Sequence, residues 1–195
     1  MIEVQQVPVG RHPLLCRVLD LLERPWLTVL ETHGNFDVDF LAGPPATNRV
    51  DKAPRWLAPL GQLGVIVRNM IPREPGWKAQ CANYFPPGGG LSWHTNSSRP
   101  GWRVYIPYPL APAGQAVQSG FVLPGFRRID DRHGFANVFR IDEDWREDWH
   151  AVQAVTGRRC AGFEAPEAFV RALGVDVTVG VRFPSEAPTP PAVPR

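Results

Sequence analysis

The chain has 195 residues and a mass of 21.7 kDa, with 44% hydrophobic residues, 21% charged residues and a net charge of +2. That length supports one buried core with appendages and excludes most multidomain machinery. No apolar run approaches the ~20 residues of a membrane-crossing helix, and so small a charge gives no electrostatic case for a nucleic-acid partner, though it does not exclude one.

The opening, Met1 to Gly10, carries Glu3 and lacks the apolar stretch of a secretory signal, so a cytoplasmic location is expected. Cys16, Cys81 and Cys160 are odd in number and widely spaced. This argues for buried thiols and against a disulfide framework or a cysteine zinc site. The 22 prolines and 18 glycines demand short elements joined by many turns, which favours a β-rich sandwich over a helix bundle.

In chain order, Pro13 opens a helix whose Leu14, Leu15, Val18, Leu21 and Leu22 share one face, and Pro25 stops it. Trp26 to Leu30 reads as a strand, Gly34 to Lys52 as a turn-rich loop and Pro54 to Leu63 as a weaker helix. From Val65 onward the chain becomes a series of short extended segments: 65–67, 78–85, 91–96, 102–108, 120–123, 137–141, 150–155 and 159–163. Pro166 to Leu173 reads as a short helix, Asp176 to Phe183 as a last strand and Pro184 to Arg195 as an extended, proline-rich tail. The spacing suits an all-β sandwich or barrel. It predicts a single domain over residues 1–183, with its core at about 65–183, an N-terminal helical flank over 11–64 and a tail over 184–195.

The stretch Asn83-Tyr84-Phe85-Pro86-Pro87-Gly88-Gly89-Gly90-Leu91-Ser92-Trp93-His94-Thr95-Asn96 reads as a strand, a turn and a second strand that carries a histidine. Residues i and i+2 of a strand share a side, so His94 and Asn96 can aim at one point. A second histidine, His150, heads the strand His150 to Val155, and Arg158 and Arg159 begin the strand that returns after the turn. A neutral imidazole suits iron, and a guanidinium one hairpin away can clamp a carboxylate in two places.

These segments resemble the iron(II)/2-oxoglutarate-dependent dioxygenase superfamily. Phe85 to Gly88 and Leu91 to His94 resemble the approach to the first histidine in its DNA-dealkylating members, and His150 to Gln153 followed by Arg159 resembles the distal strand of its prolyl hydroxylases. The resemblance covers roughly Lys78 to Phe163. It implies a mostly β fold of the double-stranded β-helix (jelly-roll, cupin-like) type with flanking N-terminal helices. His94, Asn96 and His150 then form the metal and catalytic set for Fe(II), and Arg159, or Arg158 if the register shifts by one, takes the far carboxylate of the cosubstrate 2-oxoglutarate. Asn83 matches a cosubstrate-contacting Asn, and Tyr84 stands in for a tyrosine that is Phe85 here. The implied activity consumes O2 and hydroxylates a C–H bond of a small molecule or peptide side chain, releasing succinate and CO2. Asn96 departs from the family, whose pattern has a carboxylate there; a neutral amide oxygen is a weaker donor and leaves the site one charge more positive. The alternatives are a non-catalytic binding protein on the same fold with a degenerate metal site, and a zinc or other cupin-like enzyme that has no use for Arg158 or Arg159.

Other features read structurally. His12, His33 and His133 are expected in structural roles, and Gly88 to Gly90 in a β-turn, since no helix or Lys-Ser/Thr follows to cradle phosphate. Trp93 and Trp149, each one residue before a proposed ligand, should pack on the sheet's other face.

Overall fold

The computed structural model describes residues 2–24, 55–95, 100–111, 115–141 and 149–178. Strand β1 (Gln5–Pro8) leads through a 3-10 turn into helix α1 (Pro13–Glu23). Two features set the start of α1. Pro13 occupies its first turn, and His12 accepts the Leu14 N–H through Nδ1 at 3.1 Å. Leu14, Leu15, Val18 and Leu22 are buried along one stripe. The expected strand at 26–30 and loop at 34–52 lie outside the described residues.

The next stretch differs from the expected helix over 54–63 and strand over 65–67. Two short strands, β2 (Arg55–Trp56) and β3 (Ala58–Pro59), precede helix α2 (Gly61–Met70). Leu60, Leu63, Val67 and Ile71 fall three and four apart and are all buried, while Val65 is 56% exposed. Burying that stripe outweighs the extended preference of the β-branched Val65, Ile66 and Val67.

The remaining strands are β4 (Lys78–Phe85), β5 (Gly89–His94), β6 (Gly101–Pro109), β7 (Ser119–Leu123), β8 (Arg127–Asp130), β9 (Phe135–Ile141), β10 (His150–Ala154) and β11 (Arg158–Ala165), followed by helix α3 (Glu167–Ala172). The expected last strand does not begin at Asp176, and its remainder over 179–183 and the expected tail over 184–195 lie outside the described residues. The Asp176 carboxylate accepts the Thr178 N–H at 2.9 Å and the hydroxyl at 2.6 Å, which closes a turn there.

The strands from β4 to β11 pair as one antiparallel ribbon folded back on itself: β4 with β11, β5 with β10, β6 with β9 and β7 with β8. Pairs β6–β11 and β7–β10 then coil the ribbon into two sheets. The sheets have the orders β1-β9-β6-β11-β4-β3 and β2-β5-β10-β7-β8. The fold is therefore mostly β, with two antiparallel sheets.

The first sheet is buried on both faces. On one side Val104, Ile106, Ala161 and Phe163 pack with Leu15, Val18, Leu63 and Val170 of the three helices. On the other, Phe85, Phe139 and Cys160 meet Phe121 and Val152 of the second sheet. Prolines are accommodated where ladder bonds are not needed. Pro107 and Pro109 lie in the half of β6 that pairs with β11 alone, beyond the last β9 partner at Tyr105. The β4–β5 connection is a tight turn: Pro87 and Gly88 hold its corner, Gly88 has a φ of 77°, and Gly89 N–H donates to Pro86 O at 2.8 Å. That is the residue order a type II turn requires.

Gly120 of β7 pairs with Asp130 of β8, and a methyl group there would run into the Ile129 carbonyl oxygen, which is backbone and cannot swing away. Gly120→Ala should lower the urea midpoint by the equivalent of about 1–3 kcal/mol with an unchanged m-value. Gly61→Ala, where nothing lies within 4 Å, should leave the midpoint in place.

Candidate active site

Strands β5 and β10 carry the two histidines. Their register runs Gly89↔Ala154, Gly90↔Gln153 and Leu91↔Val152, then shifts so that His94 stands opposite His150. One extra residue is accommodated on β5, a β-bulge. Strict alternation from Leu91 would have turned Trp93 inward. With the bulge, Leu91 and His94 both line the cavity between the sheets. Trp93 instead packs with Trp149, Val122 and Ala151 in a separate cluster, so both tryptophans turn away from the histidines. The imidazole centroids lie 4.2 Å apart with the rings inclined at 56°.

The chemistry of His94 is set by its own strand. Its Nδ1 lies 2.7 Å from the Ser92 carbonyl oxygen. A carbonyl only accepts, so that nitrogen carries the proton and Nε2 keeps a lone pair, the usual arrangement behind a metal-binding histidine. Burial pushes the His94 pKa below its ordinary 6.5, opposed by the hydrogen bond to Ser92.

The arginine in the cavity is Arg158. Its side chain is 1% exposed and its guanidinium carbon lies 5.3 Å from the Phe85 ring and 5.9 Å from the Phe121 ring. The same Phe121 ring is 5.8 Å from His150. Behind Arg158, Asp131 is fully buried and places Oδ2 3.1 Å from Nη1. Asp131 also accepts from Asn137 Nδ2 at 3.2 Å, and Asn137 Oδ1 in turn accepts from Gln6 Nε2 at 3.0 Å. Burial pushes the Asp131 carboxyl upward against the pull of Arg158. Arg158 Nε and Nη1 are buried without an aligned hydrogen-bond acceptor. Such donors suit a planar carboxylate.

Arg159, the first choice for the cosubstrate clamp, faces the other way. Its Nη1 donates to the carbonyls of Leu22 at 2.9 Å and Arg24 at 3.1 Å, capping the end of α1. Alternation along β11 separates the neighbouring arginines: Arg158 and Cys160 look into the cavity, Arg159 and Ala161 toward the helices. The same rule divides Asn83, on the cavity wall, from Tyr84, which packs on the helix side and does not line the cavity. Asn96 lies outside the described residues.

The cavity has a volume of about 180 Å3, enough for a small organic molecule, since a cavity of ~150 Å3 holds benzene. Its apolar wall is Phe85, Leu91, Phe121 and Val152, and among the described residues Arg158 is its one arginine or lysine. Sequence reasoning did not assign Tyr105, Cys81 or Cys160 to this region, and it puts Asp131 in a segment, Asp130 to His133, that forms either a loop over the site or a solvated surface. Tyr105 lines the cavity and lies over Gly162, where a methyl group would strike its ring. The Cys81 and Cys160 thiols interact; the hydrogen bond between them raises the Cys81 pKa and lowers that of Cys160. No local pattern marks these residues, and only register brings them together.

Among the described residues no three of His, Cys, Asp and Glu gather to hold a metal ion. The pair of imidazoles nevertheless fits one: the Ser92 carbonyl leaves the His94 Nε2 unprotonated, and both histidines line one cavity with Arg158. Comparison with known proteins adds no assignment, since no family model matches the chain and no curated protein matches it.

A histidine with a depressed folded pKa binds its proton more tightly in the unfolded chain. Its stabilising contribution is complete above about pH 6.5 and is lost as the pH falls through the folded value. Urea midpoints of metal-free protein should therefore drop more steeply from about pH 7.5 to 5 in the wild type than in His94→Gln; parallel profiles would contradict this. The buried ion pair gives a second expectation. Arg158→Met leaves Asp131 uncompensated and should cost about 3–5 kcal/mol, whereas Arg158→Met combined with Asp131→Leu should recover most of that loss in the same urea assay.

Proposed function

We propose that this protein is an iron(II)/2-oxoglutarate-dependent oxygenase that hydroxylates a C–H bond of a small molecule or peptide side chain. The observation that carries the proposal is the meeting of His94 and His150, far apart in the chain, as a direct cross-strand pair on the wall of a cavity that Arg158 also lines. The nested ribbon, with β4:β11, β5:β10, β6:β9 and β7:β8 coiled by β6:β11 and β7:β10, supports a double-stranded β-helix.

In this reading His94 and His150 hold the metal, and Asn96 or a water supplies a further oxygen donor. Arg158, rather than Arg159, receives the far carboxylate of 2-oxoglutarate beside its ion pair with Asp131, and Asn83 lines the same cavity. When bound, iron(II) with 2-oxoglutarate supplies O2 activation, with succinate and CO2 as co-products. The chain's own residues do three things. The Ser92 carbonyl keeps His94 in the ligating tautomer, Phe85 and Phe121 exclude water around the guanidinium, and the bulge in β5 aims the imidazole inward. One observation favours a second reading, a binding protein with a degenerate metal site: Asn stands at position 96, where the family pattern has a carboxylate.

Anaerobic addition of iron(II) and 2-oxoglutarate to metal-free protein should produce a visible metal-to-ligand charge-transfer band. His150→Ala should abolish it, Arg158→Met should raise the 2-oxoglutarate concentration needed by at least about tenfold, and Arg159→Met should leave it unchanged. No band in the wild type, with a band appearing in Asn96→Asp, would support the degenerate-site reading instead.

A further inference from the structure

We propose that Asp131 is the proton acceptor of the Arg158 anion site, so that a dicarboxylate enters the cavity together with one proton, which Asp131 takes. The inference rests on the oxygenase reading for the identity of the diacid, 2-oxoglutarate. Its physical basis is the geometry of the buried pair.

Arg158 and Asp131 are 1% and 0% exposed and 3.1 Å apart, so the guanidinium is already balanced before any ligand arrives. Asp131 does not line the cavity. It sits behind Arg158, its backbone N–H donating to Ser119 O at 2.7 Å and its Oδ1 accepting from Asn137. It therefore has no path out of the guanidinium's field when a second carboxylate comes in from the front.

Two carboxylates then share one cation between the Phe85 and Phe121 rings, where water cannot screen them. Like charges in such a site do not both stay ionised: one group takes a proton. The groups facing Asp131 decide which. From β11 come Arg158, which has no proton to accept, and the Cys160 thiol; β7 presents the Ser119 hydroxyl and β9 the Asn137 amide, neither of which titrates. Along its own segment, Asp130 is already paired with Arg128 at 2.5 Å. Asp131 is thus the remaining carboxylate in the buried cluster, and burial already pushes its pKa upward. Protonation neutralises Asp131 and frees Arg158 for the ligand, so the proton balance is one taken from solvent per diacid bound and one returned on release.

The test is calorimetric titration of 2-oxoglutarate into the full-length protein with iron(II) under anaerobic conditions, repeated in phosphate, HEPES and Tris buffers. Their different ionisation enthalpies report the number of protons taken up. About one proton is expected, with Kd rising with pH, by about tenfold per pH unit wherever one full proton is taken up. Asp131→Asn should bind 2-oxoglutarate with no proton uptake and a flat pH profile. Wild-type binding without uptake, or uptake that persists in Asp131→Asn, would overturn the proposal. If Asp131→Asn fails to fold by circular dichroism, the wild-type profile decides alone, and a flat Kd defeats the idea. Glutarate titrated into metal-free protein separates this proposal from the oxygenase reading. Glutarate binding with proton uptake but no iron-dependent 2-oxoglutarate band upholds the role of Asp131 and rejects the oxygenase. A band without uptake does the reverse, and no binding of either diacid rejects both.

Discussion

The register of β11 is the constraint on which the site depends. The strand is paired on both sides along nearly its whole length, Arg158 to Glu164 against β4 and Arg158 to Ala165 against β6. A slip of one residue would break both ladders and exchange every side chain between the helix-facing core and the cavity. It would drive Arg159 inward and expel Phe163 from the cluster under the helices. Because Phe163 and Ala161 are fully buried on that side, packing holds Arg158 in the cavity. A hydrophobic requirement on one face thereby positions a charge on the other. Arg159 is then committed to the last carbonyls of α1, which ties the N-terminal helix to the same strand.

The second sheet solves the converse problem, bringing an imidazole inward against the simple alternation of its strand. The bulge between His150 and Val152 in the β5–β10 pairing lets Leu91 and His94 share a face, and it turns Trp93 onto the outer face beside Trp149. The outer tryptophan cluster stabilises the bulged form, since a regular strand would press the Trp93 indole between the sheets. Packing therefore selects the register on both sides of the cavity, and the polar residues occupy the positions that packing leaves to them.

This explains what the sequence could and could not disclose. The α1 stripe, the strand over 78–85 and the Pro-Gly turn were legible because each is a local pattern, set by spacing or by the φ preferences of proline and glycine. The facing of His94 and His150 was legible from the motif order. The choice between Arg158 and Arg159 was not, since register is a property of three strands together. Helix α2 was misread because Val65, Ile66 and Val67 favour extended backbone locally, and only the buried Leu63 and Val67 reveal the stripe that overrides them. Asp131 falls in the segment Asp130 to His133, for which the sequence leaves both a loop over the site and a solvated surface open, and nothing in its neighbours signals that β7, β9 and β11 close around it.

Charge gives the last connection between the two ends of the cavity. The family pattern that the sequence resembles places a carboxylate beside the metal and a guanidinium at the far end. On the proposed reading, Asn96 would leave the metal end without the carboxylate of that pattern, while the structure has a buried acid, Asp131, behind the guanidinium. On the same reading, a metal held by neutral donors would depend more on the charge of the incoming diacid, and that diacid would meet an arginine already balanced by Asp131. Metal retention, diacid binding and protonation of Asp131 would then be linked steps, because each would supply or remove charge that the others need in a space where Phe85 and Phe121 limit screening.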